Sequence, residues 1–468
     1  MARTMGLAPG LLTQVRNRVR TLQRALYVKA KTEPDFRFYS LRDKVYRIDV
    51  LVIAYQRCRA NRGSHGVDGQ RFADIENAGV MEWLAQLREE LKSDGYRPQP
   101  LRRVWIPKRN GKLRPLGIPC IRDRVVQMAV NLLLQPVFEA DMQPSQYGFR
   151  PRRDAKAAVR QVHYYTAKIG LRDVVDTDLR DYFNTIPHGP LMKCLARRIS
   201  DGRVLQLIKQ WLEVAVIEIV DGKPRRANEA RRTHRGSAQG SVVSPLLANL
   251  YFRRFILAWE RFGHAKRLHA HIVNYADDMV ICCRPGSGEQ AMAHMQALMG
   301  RLGLSVNEEK TALVKLPQQS FDFLGYSLGT QYNRHGKPYI GTKPAKRAMK
   351  AIIGKIHDET AISMTWDSAE NRIAELNSII RGWAGYFDQG PVLKSYQILQ
   401  TYTERRIRRW LVNKHKQRGR SGYRLYPDAF LYGKLGLYQL PTRMADVSSA
   451  KTYRSWTKAG CVNSARPV

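Results

Sequence analysis

Residues 271–283 read HIVNYADDMVICC. Two short apolar runs, His271 to Tyr275 and Met279 to Cys283, enclose the tetrad Tyr275-Ala276-Asp277-Asp278. Their length and β-branched character predict two strands with adjacent carboxylates between them. Paired carboxylates are costly to desolvate unless water or a cation meets them. An exposed turn would also explain the tetrad, because Asp is common in turns. A second acidic run strengthens the cation reading. In DVVDTDLRDYFNTIPH (173–188), Asp178 ends another apolar run. Strand-end carboxylates from two places can share a pair of Mg²⁺ ions, an arrangement suited to in-line displacement at phosphorus. Asp176 and Asp181 are alternatives on spacing, and Asp176 would share the strand face of Asp178.

The charge balance points to the same class of partner. Lys and Arg number 79 against 40 Asp and Glu, a formal net charge of +39. Such a surplus repels itself unless a polyanion neutralises it, and nucleic acid does so with release of counterions. No run of about 20 apolar residues exists to span a bilayer. The first acidic residue is Glu33, preceded by Arg16, Arg18, Arg20, Arg24, Lys29 and Lys31. A basic arm that touches RNA fits this stretch, as would an organellar transit peptide. The six cysteines form no C-x-x-C pair and no zinc set with histidine, so reduced structural thiols are expected.

Along the chain, residues 1–40 read as a basic extension of uncertain structure. Helices are predicted over 44–59 and 80–93 from apolar spacing. RRVWIPKRNGKLRPLGIP (102–119) reads as a hairpin around Asn110-Gly111, and residues 122–139 as a buried helix. Further strands are expected at 173–178, 214–220, 271–275 and 279–283. Strands interleaved with helices indicate an α/β or α+β core. Residues 345–415 read as helical and basic, anchored by Trp383, Tyr386, Phe387 and Trp410. A basic linker (414–424) and a small C-terminal unit follow.

The order of these blocks resembles the group II intron reverse transcriptases. IPKRNGKLRPLGIP, SQYGFRPRRDAKAAV (145–159), DTDLRDYFNTIPH, GSAQGSVVSPLLANLYF (236–252), YADD, LGLSVNEEKT (302–311) and FDFLGYSLG (321–329) are each similar to a family block. LNSIIRGWAGYF (376–387) resembles the hallmark of the family's maturase domain. Asn184 stands where the family often has Asp, and Ala238 where it often has Pro.

The resemblance implies an α+β right-hand polymerase with fingers and palm, an all-helical thumb (maturase domain) and a small C-terminal DNA-binding region. The corresponding boundaries are 1–43, 44–335, 336–414 and 415–468. It assigns Asp178, Asp277 and Asp278 to catalysis and to two Mg²⁺ ions. Lys108, Arg114, Tyr182 and Gln239 would meet the incoming dNTP, with Tyr182 as the aromatic gate against a ribose 2′-hydroxyl. Arg150, Arg152, Arg153, Arg381, Arg405, Arg406, Arg408, Arg409, Lys414 and Lys416 are candidates for RNA or DNA contact, by charge that sets affinity and register rather than sequence.

The implied partners are group II intron RNA, an RNA template with a DNA primer, target DNA and dNTPs, without a membrane. The implied work is RNA-directed DNA synthesis together with splicing and retrohoming, in the bacterial cytoplasm near the nucleoid, an organelle being the lesser option. With Cys461 alone beyond the YADD strands, an endonuclease-lacking member is expected. An intron-free relative in defence or repair, or a non-catalytic RNA-binding maturase, remain alternatives.

Overall fold

The computed structural model describes residues 9–107, 111, 113–220, 223–333, 335–417 and 422–443. Among the described residues the strands are, in chain order, β1 (Leu101–Pro107), β2 (Leu113–Ile118), β3 (Asp173–Asp178), β4 (Val216–Val220), β5 (Lys223–Ala227), β6 (His271–Tyr275), β7 (Asp278–Cys283), β8 (Ala312–Lys315), β9 (Phe321–Phe323), β10 (Tyr326–Tyr332) and β11 (Pro338–Pro344). They make three sheets: β2-β1-β4-β5, β6-β7-β3-β8 and β11-β10-β9. The β6-β7-β3-β8 sheet is antiparallel throughout.

That sheet is buried on both faces, which its sequence explains. Successive side chains of a strand point to opposite sides. Met279, Ile281 and Cys283 of β7 and Val175 of β3 enter one core, shared with the helices Ile121–Glu139 and Ser244–Arg261. Val280 and Cys282 of β7, Val273 of β6 and Val174 of β3 enter a second core with Phe321, Phe323, Tyr326 and Leu328 of β9 and β10. Apolar residues on both faces are why these strands read as continuous hydrophobic runs.

The N-terminal stretch departs from expectation. Residues Pro9–Thr32 form a 24-residue helix. Its Val19, Leu26 and Ala30 are buried in the first core, and Gln23 donates to the Leu132 carbonyl at 2.8 Å. The arginines occupy the solvent side and mask a sparse apolar stripe. The basic extension, whose structure the sequence left open, is over residues 9–32 a packed helix.

The helices Lys346–Glu359, Ala369–Tyr386 and Leu393–Lys414 bury a third core around Ile356, Leu376, Ile380, Leu399 and Trp410. Leu431, Leu437 and Leu440 pack into that same core, so residues up to 440 continue it past the expected boundary at 414. The expected boundary at 335 falls within the antiparallel β10–β11 pair. Residues 444–468, with Cys461, lie outside the described residues. Cys58, Cys120, Cys194, Cys282 and Cys283 are free thiols, as expected. No described helix is long and apolar enough to cross a membrane.

Candidate active site

The β3–β7 register sets Asp178 directly opposite Asp278. On β3, Val174, Asp176 and Asp178 share one face, and on β7 so do Cys282, Val280 and Asp278. Each strand thus runs from apolar to acidic along a single face. Tyr275 pairs with Asp278, which leaves Ala276 and Asp277 as the two-residue loop of the hairpin. Ala276 takes φ +58°, a conformation that costs a non-glycine residue about 1–2 kcal/mol. Its surroundings fix it there. Asn274 Nδ2 donates to the Ala276 carbonyl at 2.8 Å and to the Asp278 carbonyl at 3.3 Å. Gly148 lies against the turn so closely that a Cβ there would stand 2.5 Å from the Ala276 nitrogen.

The electrostatics are those of carboxylates crowded together. Asp278 keeps an exposed edge at the start of β7, yet desolvation by the surrounding protein and then the charges of Asp277, Asp178 and Asp176 push it up to about 7. Burial also pushes Asp176 up to about 7, opposed by Arg347 and aided by Asp178. Asp277 is raised by burial and by Asp178, while Arg114 and Lys310 act the other way. The Lys310 ammonium sits on Asp178 Oδ2, which raises the lysine in turn, and Asn307 Nδ2 lies 3.4 Å from the same oxygen. All-oxygen donors that repel one another and attract an ammonium suit a hard divalent cation. Of the two alternatives weighed on spacing, Asp176 belongs to this acidic face, while Asp181 precedes a short helix with φ +46°.

The nucleotide candidates divide. Arg114 on β2 is close enough to act on Asp277. Gln239 has its side-chain oxygen buried with no hydrogen-bond partner among the described residues. Its main-chain carbonyl accepts from Gly117 of β2 at 2.8 Å, which ties its loop to the β1–β2 hairpin. Gly240 permits that approach, since a Cβ there would meet the Gly117 oxygen at 2.6 Å. Lys108 lies outside the described residues.

Tyr182 does not fit the gate. It is 2% exposed, its hydroxyl donates to the Ala248 carbonyl at 2.6 Å, and its ring stacks edge-on against Phe252. A side chain so enclosed has no edge to offer a ribose; it is a core aromatic. Tyr182→Ala is accordingly expected to cost about 3–5 kcal/mol of stability while leaving discrimination between dNTPs and rNTPs intact. Parallel urea melts and rNTP misincorporation assays would separate the two effects.

The basic candidates divide as well. Arg150 is buried, paired with Glu139 and bonded to the Gln143 and Gln146 carbonyls. Arg408 is buried beside Glu404 and Asp428, and it donates to the Tyr426 carbonyl. Both are structural cations, not phosphate contacts. Arg153 spends itself on the Pro144 carbonyl and the Tyr147 ring, Arg406 on Thr360 and the His357 carbonyl, and Lys414 on the Thr365 and Asp367 carbonyls. Arg381 is exposed, with its guanidinium over the Tyr438 ring. Arg152, Arg405, Arg409 and Lys416 are exposed. Arg405 and Arg409, one turn apart, line a groove of about 520 Å³ with Tyr402 and Tyr423.

Asn274, Asn307 and Lys310 escaped the sequence reading as site residues. Their signal was present only as membership of blocks beside the acidic ones, and it takes the fold to turn them towards Asp178 and the loop.

Residues 106–328 match the family described as reverse transcriptase (RNA-dependent DNA polymerase), and residues 349–426 match the group II intron, maturase-specific domain. The chain is 34% identical over 366 residues to Protein YkfC of Escherichia coli, spanning 70% of this chain and 93% of that protein. It is 31% identical over 217 residues to the group II intron-encoded protein LtrA of Lactococcus lactis, spanning 45% of this chain and 34% of that one. The chain belongs to the group II intron reverse transcriptase/maturase family. Like the putative COX1/OXI3 intron 1 protein of Saccharomyces cerevisiae, 25% identical over 330 residues, LtrA is a longer protein of which this chain spans about a third. As a group II intron reverse transcriptase/maturase, the chain is an RNA-directed DNA polymerase joined to a splicing domain. Reverse transcriptases use divalent metal ions, and the Asp178, Asp277 and Asp278 donor set fits them.

Proposed function

We propose that Asp178, Asp277 and Asp278 hold two Mg²⁺ ions and that the chain extends a DNA primer on an RNA template there. When bound, the ions supply activation of the primer 3′-hydroxyl and stabilisation of the departing pyrophosphate. Arg114 and Lys108 hold the triphosphate of the incoming dNTP, an Arg fork and a Lys point charge being suited to phosphate oxygens. Gln239 orients the nucleotide with its unpartnered carbonyl oxygen. The observation that carries this reading is the Asp178–Asp278 pair at the ends of β3 and β7, with the Asp277 loop beside it.

The helices from Lys346 to Lys414 act as thumb and maturase surface. They grip template–primer and the RNA of a group II intron, promoting its splicing and retrohoming into target DNA. The exposed Arg405 and Arg409, in the groove lined also by Tyr402 and Tyr423, form the contact. The test is primer extension by the full chain with Mg²⁺, dNTPs, an RNA template and a DNA primer, beside a splicing assay on group II intron RNA. Extension without splicing would sink the maturase part, and tight RNA binding without extension would sink the polymerase part.

The raised carboxylates give a pH signature. With Asp278 and Asp176 near 7, against about 4 unfolded, the folded state retains protons between those values that the unfolded state has released. Their contribution to stability therefore falls as pH rises from about 4 to about 7 and is lost above it. Mg²⁺ must displace those protons at low pH but not at high pH. Thermal melts should thus show a larger Mg²⁺-induced rise in Tm at pH 8 than at pH 6, and equal rises would remove Mg²⁺ from this cluster.

A further inference from the structure

We propose that His188, Glu213 and His234 form a second metal site, of the zinc class, that clamps the loop carrying Gln239 to the segment following Asp178. One ligand atom from each of the three residues lies within 4.8 Å of the others. His188 is the first residue of the helix His188–Ala196, and Glu213 is the last of the helix Gly202–Glu213. His234 follows the short helix Glu229–Thr233 with φ +52°. The three residues come from separate elements, none of which belongs to the carboxylate site.

The state of His188 points to a ligand. The residue is 6% exposed, and its Nε2 lies 2.7 Å from the Gly236 carbonyl. A carbonyl only accepts, so Nε2 carries the proton and Nδ1 keeps a lone pair. Nδ1 is buried and has no hydrogen-bond partner among the described residues. A neutral imidazole with one nitrogen bonded to a main-chain carbonyl and the other presenting a lone pair is the state in which histidine ligates metals. Two imidazoles and a carboxylate suit Zn²⁺ far better than Mg²⁺, and they leave a fourth position for water.

The site would act on the polymerase by holding a loop. His188 N donates to the His234 carbonyl at 2.9 Å, Gly236 N to Ile186 at 2.9 Å and Ser237 N to Phe183 at 2.7 Å. Residues 234–237 thus run beside 183–188, immediately before Gln239. A metal bound to residue 188 on one side and residue 234 on the other fastens the start of that pairing.

The experiment uses the full chain, stripped with a chelator and titrated with Zn²⁺ in excess Mg²⁺ by calorimetry. One Zn²⁺ per chain is expected, weakened about tenfold or more by Glu213→Gln and by His234→Ala, and unchanged in Asp277→Asn. X-ray absorption at the zinc edge should show nitrogen and oxygen neighbours without sulfur, and hydrogen exchange over 234–240 should slow on loading. Circular dichroism establishes that each variant is folded, with His234→Gln as the milder replacement. Absence of stoichiometric Zn²⁺, displacement by Mg²⁺, sulfur in the coordination shell, or binding that survives both substitutions would overturn the site.

Discussion

Asp277→Asn is expected to leave a folded protein that still binds RNA but extends a primer about a thousandfold more slowly, or not at all. The replacement keeps the size of the side chain and removes its charge. Metal-assisted stabilisation of a phosphoryl-type transition state is worth several kcal/mol, and about 4 kcal/mol corresponds to a factor of about a thousand in rate. The fold should not suffer. Asp277 is raised by burial and by repulsion from Asp178, so the amide relieves an unfavourable charge. The loop is held by the amide of Asn274 and by the packing of Gly148, neither of which needs the carboxylate. Without divalent ions, the variant should melt at or above the wild-type temperature. Wild-type extension by this variant would show that the metals lie elsewhere.

Arg408→Ala should produce the opposite split from Arg405→Ala and Arg409→Ala, although all three arginines lie on one helix. Arg408 is 3% exposed, flanked by Glu404 and Asp428, covered by the Tyr423 ring and bonded to the Tyr426 carbonyl. Its removal leaves the Tyr426 carbonyl without its donor and takes the guanidinium from beside Glu404, which keeps the Tyr432 hydroxyl. Leaving a buried acceptor without its donor costs about 1–3 kcal/mol, so a fall in Tm is expected. Any loss of RNA affinity would follow from the damaged core. Arg405 and Arg409 are exposed, and their loss should leave stability within about 0.5 kcal/mol of wild type. It should weaken RNA binding and lower the salt dependence of log K by about one for each phosphate contact removed. Filter binding across a salt series, beside thermal melts, reads both. A salt slope that both exposed variants leave unchanged would take this groove out of the RNA contact.

The hairpin with its acidic loop was legible because a continuous apolar run broken by a tight turn is a local property, and YADD lies between two such runs. Asp178 was legible for the same reason. The Pro9–Thr32 helix was not, because Val19, Leu26 and Ala30 are few among many arginines and their role depends on the Ile121–Glu139 helix far along the chain. Charge counts likewise could not tell Arg150 and Arg408 from Arg152 and Arg405, since burial of a guanidinium is decided by tertiary neighbours. Adjacent aromatics such as Tyr182 and Phe183 carry no mark of how deeply each is enclosed, and the fold buries both. The trio of His188, Glu213 and His234 is scattered over separate elements without a ligand spacing, and only the fold brings it together.

The two-sided burial of the β6-β7-β3-β8 sheet constrains how this enzyme can change over generations. A residue inserted in β7 would swing Asp278 towards the core that now receives Met279 and Ile281, and would drive those side chains the other way. Catalysis and folding would be lost in the same event. A descendant that gives up synthesis but keeps its RNA-binding role must therefore do so by exchanging single side chains, with strand lengths preserved. Inactive relatives should be recognisable by an intact alternation around a missing carboxylate.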